Sequence, residues 1–389
     1  MSEVWRLLTD DGAGAAGGLA LDEALMSRYA RDEPDCPATL RLYSYRDHCA
    51  LVGRFQTLEA EVDLAACRRT GTDVSRRLTG GGAIVMGSGQ LGIAYVDRAR
   101  PGQRPRETIE ELSAALVAGC ARLGIPASFG GKNDLEVSGR KIAGLGLYVD
   151  AAGAMLFHAS VLADLDVPFM LQVLQIPAAK LADRAAGAVS ERITTVSVET
   201  GVRHDAATIR PFIAEGFANT FGVSLELATP DRKEQLQAAA LAAGRYQSES
   251  WLSERSVAAD ANGSALLKTP AGLVRIHIAT HGDLVKSVMT AGDFNELPVG
   301  LAAMESGLRW RRLEHDAVVA VVARSGAAEA LGVAPELLAA AVMEAGRQAC
   351  ELEVAKPCGS AELALAPEPA VVGDLFASRE PCREETAWS

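Results

Sequence analysis

The segment RRLTGGGAIVMGSGQLGIAYV, residues 76–96, sets three consecutive glycines between a pair of arginines and an apolar run. Glycine reaches positive φ at little cost, so such a run ends regular structure and predicts a tight turn ahead of a strand. Bare glycine backbone also lets a ligand come close, and its N–H groups can then face an anion. On these residues alone, a plain turn and an anion-binding loop both stay open.

Length and composition narrow the class of protein. A chain of 389 residues with 49% hydrophobic content can form one large domain and a smaller one, each with its own core. Seven cysteines without a CxxC spacing favour neither a disulfide framework nor a zinc site. A net charge of −12 argues against broad nucleic-acid binding.

The sequence shows neither the pattern of a signal peptide nor that of a membrane-spanning helix. The opening residues, MSEVWRLLTDDG, carry no basic segment followed by an apolar one. Nor does a later run reach the roughly 20 apolar residues that span a bilayer. We therefore expect a cytoplasmic protein that binds neither membrane nor nucleic acid.

Hydrophobic periodicity predicts a mixture of helices and strands. The clearest element is an amphipathic helix over residues 107–124, ended by a glycine. Further helices are predicted over 19–29, 208–221 (with Pro211 tolerated in the first turn), 229–245 and 335–349. Strands are predicted over 39–44 and 154–162, and hairpins over 135–149, turning at Ser138-Gly139, and over 274–289. Because helices and strands do not alternate strictly, the predicted fold class is α+β.

A second motif, GGKNDLEVSGRKIAG, spans residues 130–144. Asp134 stands at the entrance of a strand, where a carboxylate can bind Mg²⁺ together with phosphate oxygens. Lys141 lies on the returning arm and could neutralise charge as a carboxylate attacks a phosphate. Asn133-Asp134 is equally ordinary turn chemistry, and Lys141 equally a solvated hairpin lysine. His158, on an alternating strand, is either a half-buried hydrogen-bonded residue or a catalytic one.

Together these motifs resemble the lipoate-protein ligase A group of the biotin/lipoate ligase superfamily. The matching segments, in the family's order, are GGLALDEALM (17–26), VGRFQTLEAEVDL (52–64), RRLTGGGA (76–83), GKNDLEVSGRKIAG (131–144), FHASVLADLD (157–166) and ERITTVSVETG (191–201). The resemblance implies a catalytic domain over 1–240 with a central mixed β-sheet flanked by helices. It also implies a small α+β accessory domain over 246–349, which moves relative to the first about a hinge within 229–250. Residues 350–389 are expected to form a tail that is partly extended or disordered.

The resemblance also assigns roles by position. Lys141 matches the family's essential lysine, which contacts the acyl carbonyl and the adenylate phosphate. The positions implied for substrate binding are Arg76, Arg77, Thr79, Gly80, Gly81, Gly82, Gly144, Gly146 and His158. Those implied for nucleotide binding are Ala83, Val85, Asn133, Asp134 and Lys141, with Asp134 also as the Mg²⁺ ligand.

The implied activity is that of an ATP- and Mg²⁺-dependent lipoate-protein ligase. Lipoate or octanoate reacts with ATP to give acyl-AMP and pyrophosphate, and a lysine of a lipoyl carrier then attacks to form the amide. The carriers implied are a glycine-cleavage H-like protein, an H-like carrier of sulfur metabolism, or the E2 lipoyl domain of a 2-oxoacid dehydrogenase. One departure from the family is Val85-Met86-Gly87, which stands where many ligases carry an aromatic residue, a histidine and an aspartate.

Two alternatives remain open on the sequence. GSGQLGIA (87–94) is similar to the octanoyltransferase branch, which transfers octanoyl groups from acyl carrier protein without ATP through a cysteine thioester. That cysteine follows the DLD strand or lies near the Gly-Lys-Asn-Asp position, and this chain has it at neither; Pro357-Cys358-Gly359 lies in the tail. A non-catalytic lipoate-binding homologue is the other alternative, suggested by the change at Val85-Met86-Gly87.

Overall fold

The computed structural model describes residues 3–29, 36–131, 133–175, 191–257, 260–355 and 370–372. The chain forms two compact units, Met1–Ser256 and Val257–Ser389. In the described part of the chain, no helix is long and apolar enough to cross a bilayer.

The first unit contains a large sheet and a small one. Its strands are Val4–Ala13 (β1), Thr39–Tyr45 (β2), Cys49–Val52 (β3), Asp73–Arg76 (β4), Ile84–Met86 (β5), Gln90–Arg98 (β6), Ser128–Gly130 (β7), Asp134–Val137 (β8), Arg140–Val149 (β9), Ala154–Leu162 (β10) and Ser224–Leu227 (β11). The large sheet has the order β11-β1-β2-β6-β10-β9-β8-β7, and the small one the order β4-β3-β5. In the large sheet β1 runs parallel to both its neighbours, whereas the other pairs are antiparallel.

Helices cover both faces of the large sheet. The helices of the first unit are Ala15–Met26 (α1), Leu58–Glu61 (α2), Leu64–Thr70 (α3), Pro105–Arg122 (α4), Val167–Val173 (α5), Val196–Thr200 (α6), Ala206–Phe221 (α7), Arg232–Leu241 (α8) and Glu249–Leu252 (α9), with a π-helical turn at Ala242–Tyr246. On one face α4 and α7 pack against apolar strand residues such as Ile93 and Phe157. On the other face α1 packs against Val96 and Leu156, which the alternation of strand side chains directs to that side.

The second unit is a four-stranded sheet with helices. Its strands are Gly263–Thr269 (β12), Gly272–His281 (β13), Leu284–Gly292 (β14) and Ala370–Val372 (β15), in the order β14-β13-β12-β15. Its helices are Leu301–Leu308 (α10), His315–Ser325 (α11), Ala327–Leu331 (α12) and Pro335–Ala355 (α13). Gly263 lets α13 approach β12 closely, because a Cβ there would lie 1.9 Å from the Ala345 carbonyl oxygen.

Most predicted elements are confirmed, and their ends shift for local reasons. The 107–124 helix, both hairpins and the 154–162 strand are present, with Ser138 and Gly139 at positive φ in the first hairpin turn. The helix predicted over 208–221 begins earlier, because the Asp205 side chain accepts a hydrogen bond from the Thr208 N–H and caps it. Pro211 therefore lies inside the helix, beyond the first turn where it was predicted.

The division of the chain falls later than the predicted start of the accessory domain at residue 246. Tyr246 is buried in the first unit, and its hydroxyl donates to Glu23 at 2.9 Å. Glu234 on α8 accepts two hydrogen bonds from Arg6 at 2.8 and 3.0 Å. The predicted hinge segment 229–250 is thus packed into the first unit, which ends at Ser256. Of the predicted tail, residues 350–355 continue α13 and 370–372 form β15; the rest lies outside the described residues.

Candidate active site

A cleft of about 560 Å³, including its open mouth, lies on the α1 side of the large sheet. Strands β9 and β10 form its floor, and the glycine loop between β4 and β5 forms a wall. The cleft brings together these sequence-predicted residues: Arg77, Thr79, Gly80, Gly81, Gly82, Asn133, Lys141, Gly144, Gly146 and His158. The other residues that line it were not among the predicted site residues: Leu19, Tyr43, Leu51, Ile84, Met86, Leu145, Ala159 and Ser160. The cleft is therefore polar around the glycine loop and Lys141, with an apolar section beside it.

A β-bulge directs Lys141 into the cleft. Leu135 pairs with Ala143, but the next residue, Glu136, pairs with Lys141, so Ile142 is the extra residue of β9. Strict alternation would place Lys141 on the opposite face from Gly144. The extra residue reverses this, and Lys141 joins the cleft side while Ile142 and Ala143 are buried in the core.

The Lys141 side chain is held beside a carboxylate. Its ammonium lies 2.7 Å from Asp134 Oδ1, with both side chains about one-third exposed (34% and 31%). Gly144 makes room for it, because a Cβ at that position would lie 3.0 Å from Lys141 Nζ. The backbone of Lys141 is fixed by two hydrogen bonds of 2.8 Å, donated to Arg192 and accepted from Thr194. A partly exposed cation on a fixed strand is thus available to a ligand in the cleft.

Arg77 organises the glycine loop from within. Its guanidinium is buried and donates to three carbonyl oxygens: Leu51 at 2.7 Å, Gly80 at 3.0 Å and Gly82 at 2.9 Å. Burial lowers the pKa of Arg77 to about 10, so it stays protonated at neutral pH. Gly81 adopts φ 92°, a conformation that favours glycine. Arg77 therefore holds the glycine loop in place through hydrogen bonds to its carbonyl oxygens.

Arg76 points away from the cleft. Its buried guanidinium donates to the carbonyls of residues 53, 54 and 56 and to those of Trp251 and Leu252, at 2.6–3.3 Å. The Trp251 indole N–H returns a hydrogen bond to the Arg76 carbonyl at 3.0 Å. Burial lowers the pKa of Arg76 to about 10. The residue implied by resemblance to bind substrate thus joins the glycine-loop region to the end of the first unit.

Thr79 and His158 meet across the cleft. Thr79 Oγ1 lies 3.4 Å from His158 Nδ1, and His158 Nε2 lies 3.0 Å from Asp22 Oδ2. Gly146 pairs with His158, and a Cβ there would come within 3.2 Å of Thr79 Cβ. The absence of a side chain at Gly146 lets the start of the glycine loop pack directly on β9.

Among the other residues predicted to bind nucleotide or metal, Asn133 lines the cleft, whereas Ala83 and Val85 do not. Val85 pairs with Ala50, and its side chain is buried in the core beneath the small sheet. Ala83 is partly buried against the same core. Asn133 donates a side-chain hydrogen bond to the Leu145 carbonyl at 3.2 Å. In the described part of the chain, no group of three or more His, Cys, Asp or Glu residues could hold a metal ion.

None of the cysteines that the structure describes lines the cleft. Cys49, Cys67 and Cys120 are buried, and burial raises the pKa of each thiol, that of Cys120 to about 11. Since the thiolate is the nucleophile, these three are poorly suited to acyl transfer. Cys36 and Cys350 are half-buried and are not among the residues that line the cleft.

Residues 15–218 match the family model described as the lipoyl protein ligase A/B catalytic domain. The chain is similar to Octanoyltransferase LipM of Symbiobacterium thermophilum, with 30% identity over 275 residues covering 64% of this chain and 98% of the relative. Five further proteins named Octanoyltransferase LipM are 25–29% identical to it.

Solved structures of ligases share the fold. A bi-partite lipoate protein ligase from Thermoplasma acidophilum, whose study includes its E2 lipoyl domain, has a TM-score of 0.58 at 28% identity, covering 64% of this chain and 96% of that one. Lipoate-protein ligase A bound with ATP has a TM-score of 0.56 at 26% identity, covering 64% and 98%. These likenesses confirm the predicted α+β fold with a large central mixed sheet flanked by helices.

Proposed function

Because the chain belongs to the lipoyl protein ligase A/B catalytic-domain family, we propose that it is an ATP-dependent lipoate-protein ligase. The observation that carries the proposal is the cleft itself. A lysine paired with a carboxylate and a glycine loop stand beside an apolar groove, and no described thiol lines that cleft. Such a site can bind an acyl chain and a phosphate at once, but it offers no thiol to carry the acyl group.

The glycine loop supplies hydrogen-bond donors for a phosphate. Arg77 draws the carbonyls of Gly80 and Gly82 toward itself, and the peptide bonds of the described residues are trans. In a trans peptide the next N–H points the opposite way, so those of Gly81 and Ala83 are directed away from Arg77. Backbone N–H groups oriented in this manner form an anion-binding concavity. We assign the adenylate phosphate to this loop.

Lys141 acts where negative charge develops. The acyl carboxylate attacks the α-phosphate of ATP, pyrophosphate leaves, and the carrier lysine then attacks the acyl carbonyl with AMP as leaving group. A cation held in place beside these oxygens stabilises the developing charge without having to reorganise at the moment of reaction. The apolar side chains of Leu19, Ile84 and Met86 would receive the hydrocarbon and dithiolane part of lipoate, or the tail of octanoate.

The residues of the cleft fit Mg²⁺ only when a bound nucleotide supplies further ligands to the ion. Asp134 offers one carboxylate at the cleft edge, next to Asn133, and Mg²⁺ accepts one or two carboxylates when phosphate oxygens complete its shell. Bound there, the ion would neutralise phosphate charge. Asp134 also holds the Lys141 ammonium in place, so its contribution does not depend on the metal alone.

The acceptor proposed is a lysine of a lipoyl carrier. The candidates are a glycine-cleavage H-like protein, an H-like carrier of sulfur metabolism and an E2 lipoyl domain. The similarity to a ligase studied with its E2 lipoyl domain supports this class of partner. Each carrier presents a lysine on a folded domain, so the acyl-AMP has to lie near the mouth of the cleft.

The names of six relatives favour a second candidate, an ATP-independent octanoyltransferase. That reaction moves an octanoyl group from acyl carrier protein to the carrier lysine and needs a nucleophile to form the acyl-enzyme. It would require a cysteine from outside the described residues, Cys358 or Cys382, to reach the cleft.

Intact-mass analysis of lipoyl carriers separates the two candidates. One set of reactions contains lipoate, Mg²⁺ and either ATP or none; another contains octanoyl-acyl carrier protein without ATP. We expect a lipoyl mass gain that requires ATP and survives alkylation of the enzyme by iodoacetamide. A gain only from the octanoyl donor, abolished by alkylation, would establish the transferase instead. We expect Lys141→Ala to lose this ATP-dependent gain, and Lys233→Ala, a change at an exposed lysine, serves as its matched control.

A further inference from the structure

A buried acidic residue on α1 stands behind the cleft. The Asp22 side chain is 1% exposed, although a helix in this position would ordinarily turn an aspartate to solvent. It contacts Arg41 Nη1 at 2.6 Å, the Tyr43 hydroxyl at 3.3 Å and His158 Nε2 at 3.0 Å. A carboxylate so enclosed is costly unless it is paired and hydrogen-bonded, and all three contacts serve that purpose.

Arg41 keeps this carboxylate ionised. The Arg41 guanidinium is fully buried and also pairs with Asp10 at 2.9 Å and donates to the Gly18 carbonyl at 2.9 Å. Burial alone would raise the pKa of Asp22, but the positive charge of Arg41 and the hydrogen bond from His158 more than offset it, and the pKa is lowered. An ionised carboxylate accepts hydrogen bonds and cannot donate them. His158 Nε2 must therefore carry a proton and donate it to the Asp22 carboxylate.

The hydrogen bond to Asp22 determines which nitrogen of His158 carries the proton. In the neutral imidazole one nitrogen is a donor and the other an acceptor. With Nε2–H donated to Asp22, Nδ1 is the acceptor, and it faces the Thr79 hydroxyl at 3.4 Å. The Thr79 hydroxyl then donates its hydrogen bond to His158 Nδ1. Thr79 is the residue that leads into the three glycines, and its carbonyl also accepts the Arg54 N–H at 3.0 Å.

We infer that Asp22 is a positioning residue: through the tautomer of His158 it fixes Thr79, and with it the start of the glycine loop against β10. This role rests on the proposed function, in which that loop binds the acyl-adenylate. Arg77 holds the same loop from the opposite side by its carbonyls. The two anchors together leave the loop little freedom to reorganise when ligand arrives, which is the preorganisation that such a site needs.

Replacing Asp22 by Asn tests the inference because an amide can either accept from or donate to Nε2. We expect His158 to lose its single tautomer and kcat/KM for the acyl acid to fall about 10- to 100-fold, as for one hydrogen bond to a charged group. Asp10→Asn removes the outer partner of Arg41 and leaves the Asp22–His158 contact in place. It is the matched control and should retain both the tautomer and kcat/KM.

Two-bond ¹H–¹⁵N correlation spectra of the full chain read the tautomer directly, with His158→Gln identifying the signal among the six histidines. Wild-type protein should carry the proton on Nε2, and a proton on Nδ1 instead would overturn the inference even if Asp22→Asn fails to fold. In kinetics, Asp22→Asn should add little to Thr79→Val if Asp22 acts through Thr79, because coupled residues are non-additive. Fully additive losses would contradict it. The spectra need no ligand, so they test the inference separately from the proposed function. Absence of any lipoate binding by wild type would refute the proposed function instead.

Discussion

Gly53 touches the glycine loop so closely that a single methyl group should displace it. A Cβ at Gly53 would lie 1.9 Å from the Gly81 carbonyl oxygen and 3.0 Å from the Gly81 carbonyl carbon. Side-chain carbons do not approach backbone oxygens within 3.0 Å, so Gly53→Ala requires a movement of more than about 1 Å. The atom that must yield is backbone in the wall of the cleft, not the end of a flexible side chain.

The expected cost follows from this geometry. Overpacking of a tight site lowers the free energy of unfolding by about 1–3 kcal/mol. A misplacement of about 1 Å near a reacting group reduces the rate by roughly 100-fold. We therefore expect Gly53→Ala to remain folded at 25 °C but to lose about 100-fold in kcat/KM for lipoate-dependent ATP–pyrophosphate exchange.

Gly17→Ala is the matched control for this experiment. Gly17 lies on α1, is exposed, and has nothing within 4 Å of the added methyl group. The same change there should leave activity unaltered and stabilise the helix by up to about 1 kcal/mol. Pyrophosphate exchange and thermal unfolding are measured for both variants. Wild-type exchange by Gly53→Ala would show that the loop need not hold this position, and the account of the cleft wall would fail.

Three other perturbations address different parts of the molecule. Lys141→Ala should lower adenylation by about 100- to 1000-fold while Lys233→Ala does not, as read from pyrophosphate exchange; near-normal exchange would remove Lys141 from the mechanism. Gly82→Ala meets nothing within 4 Å, so the melting temperature should be unchanged while isothermal titration shows weakened binding of acyl-adenylate; unaltered binding would mean that the ligand does not approach this backbone. Burial lowers the pKa of His277 from 6.5 to about 4, so the unfolded chain takes up the proton first as pH falls, and the second unit should lose about 2 kcal/mol between pH 8 and pH 5. His277→Leu should remove that dependence, and hydrogen exchange of β13 that is equally pH-sensitive in both proteins would contradict it.

Much of the cleft could be found from the sequence because its polar residues come in short local motifs. The glycine loop and the hairpin with Lys141 each lie within one contiguous stretch, so turn residues and period-2 alternation place them. Asp22 could not be found in this way. Asp22 lies on α1 and its partners lie on β2 and β10, and the sequence pattern of α1 assigns an aspartate to the polar side of the helix. Pairing between distant segments leaves no periodicity in any of them.

The two arginines before the glycines have different roles, and the geometry of an extended chain separates them. Arg76 ends β4 and Arg77 follows it directly, and successive residues of an extended chain point to opposite sides. Only one of them could therefore serve the glycine loop. The structure gives that place to Arg77 and turns Arg76 toward Trp251 and Leu252, which follow the family-matched residues in the chain. Resemblance assigned both to substrate because it compares positions and not directions.

The β-bulge at Ile142 was not predicted, and its physical reason lies in the position of Lys141. Counting by two from Gly144 and Gly146 would bury Lys141 on the side of Ala143 and Leu145, where an unpaired ammonium costs several kcal/mol or more. A regular strand could expose Lys141 only by moving Ala143 and Leu145 out of the core in turn. One extra residue in β9 satisfies both demands, because it keeps Leu145, Ala143 and Ile142 buried and returns Lys141 to the cleft side. The bulge at Ile142 thus reconciles the charge of Lys141 with the burial of Ala143 and Leu145.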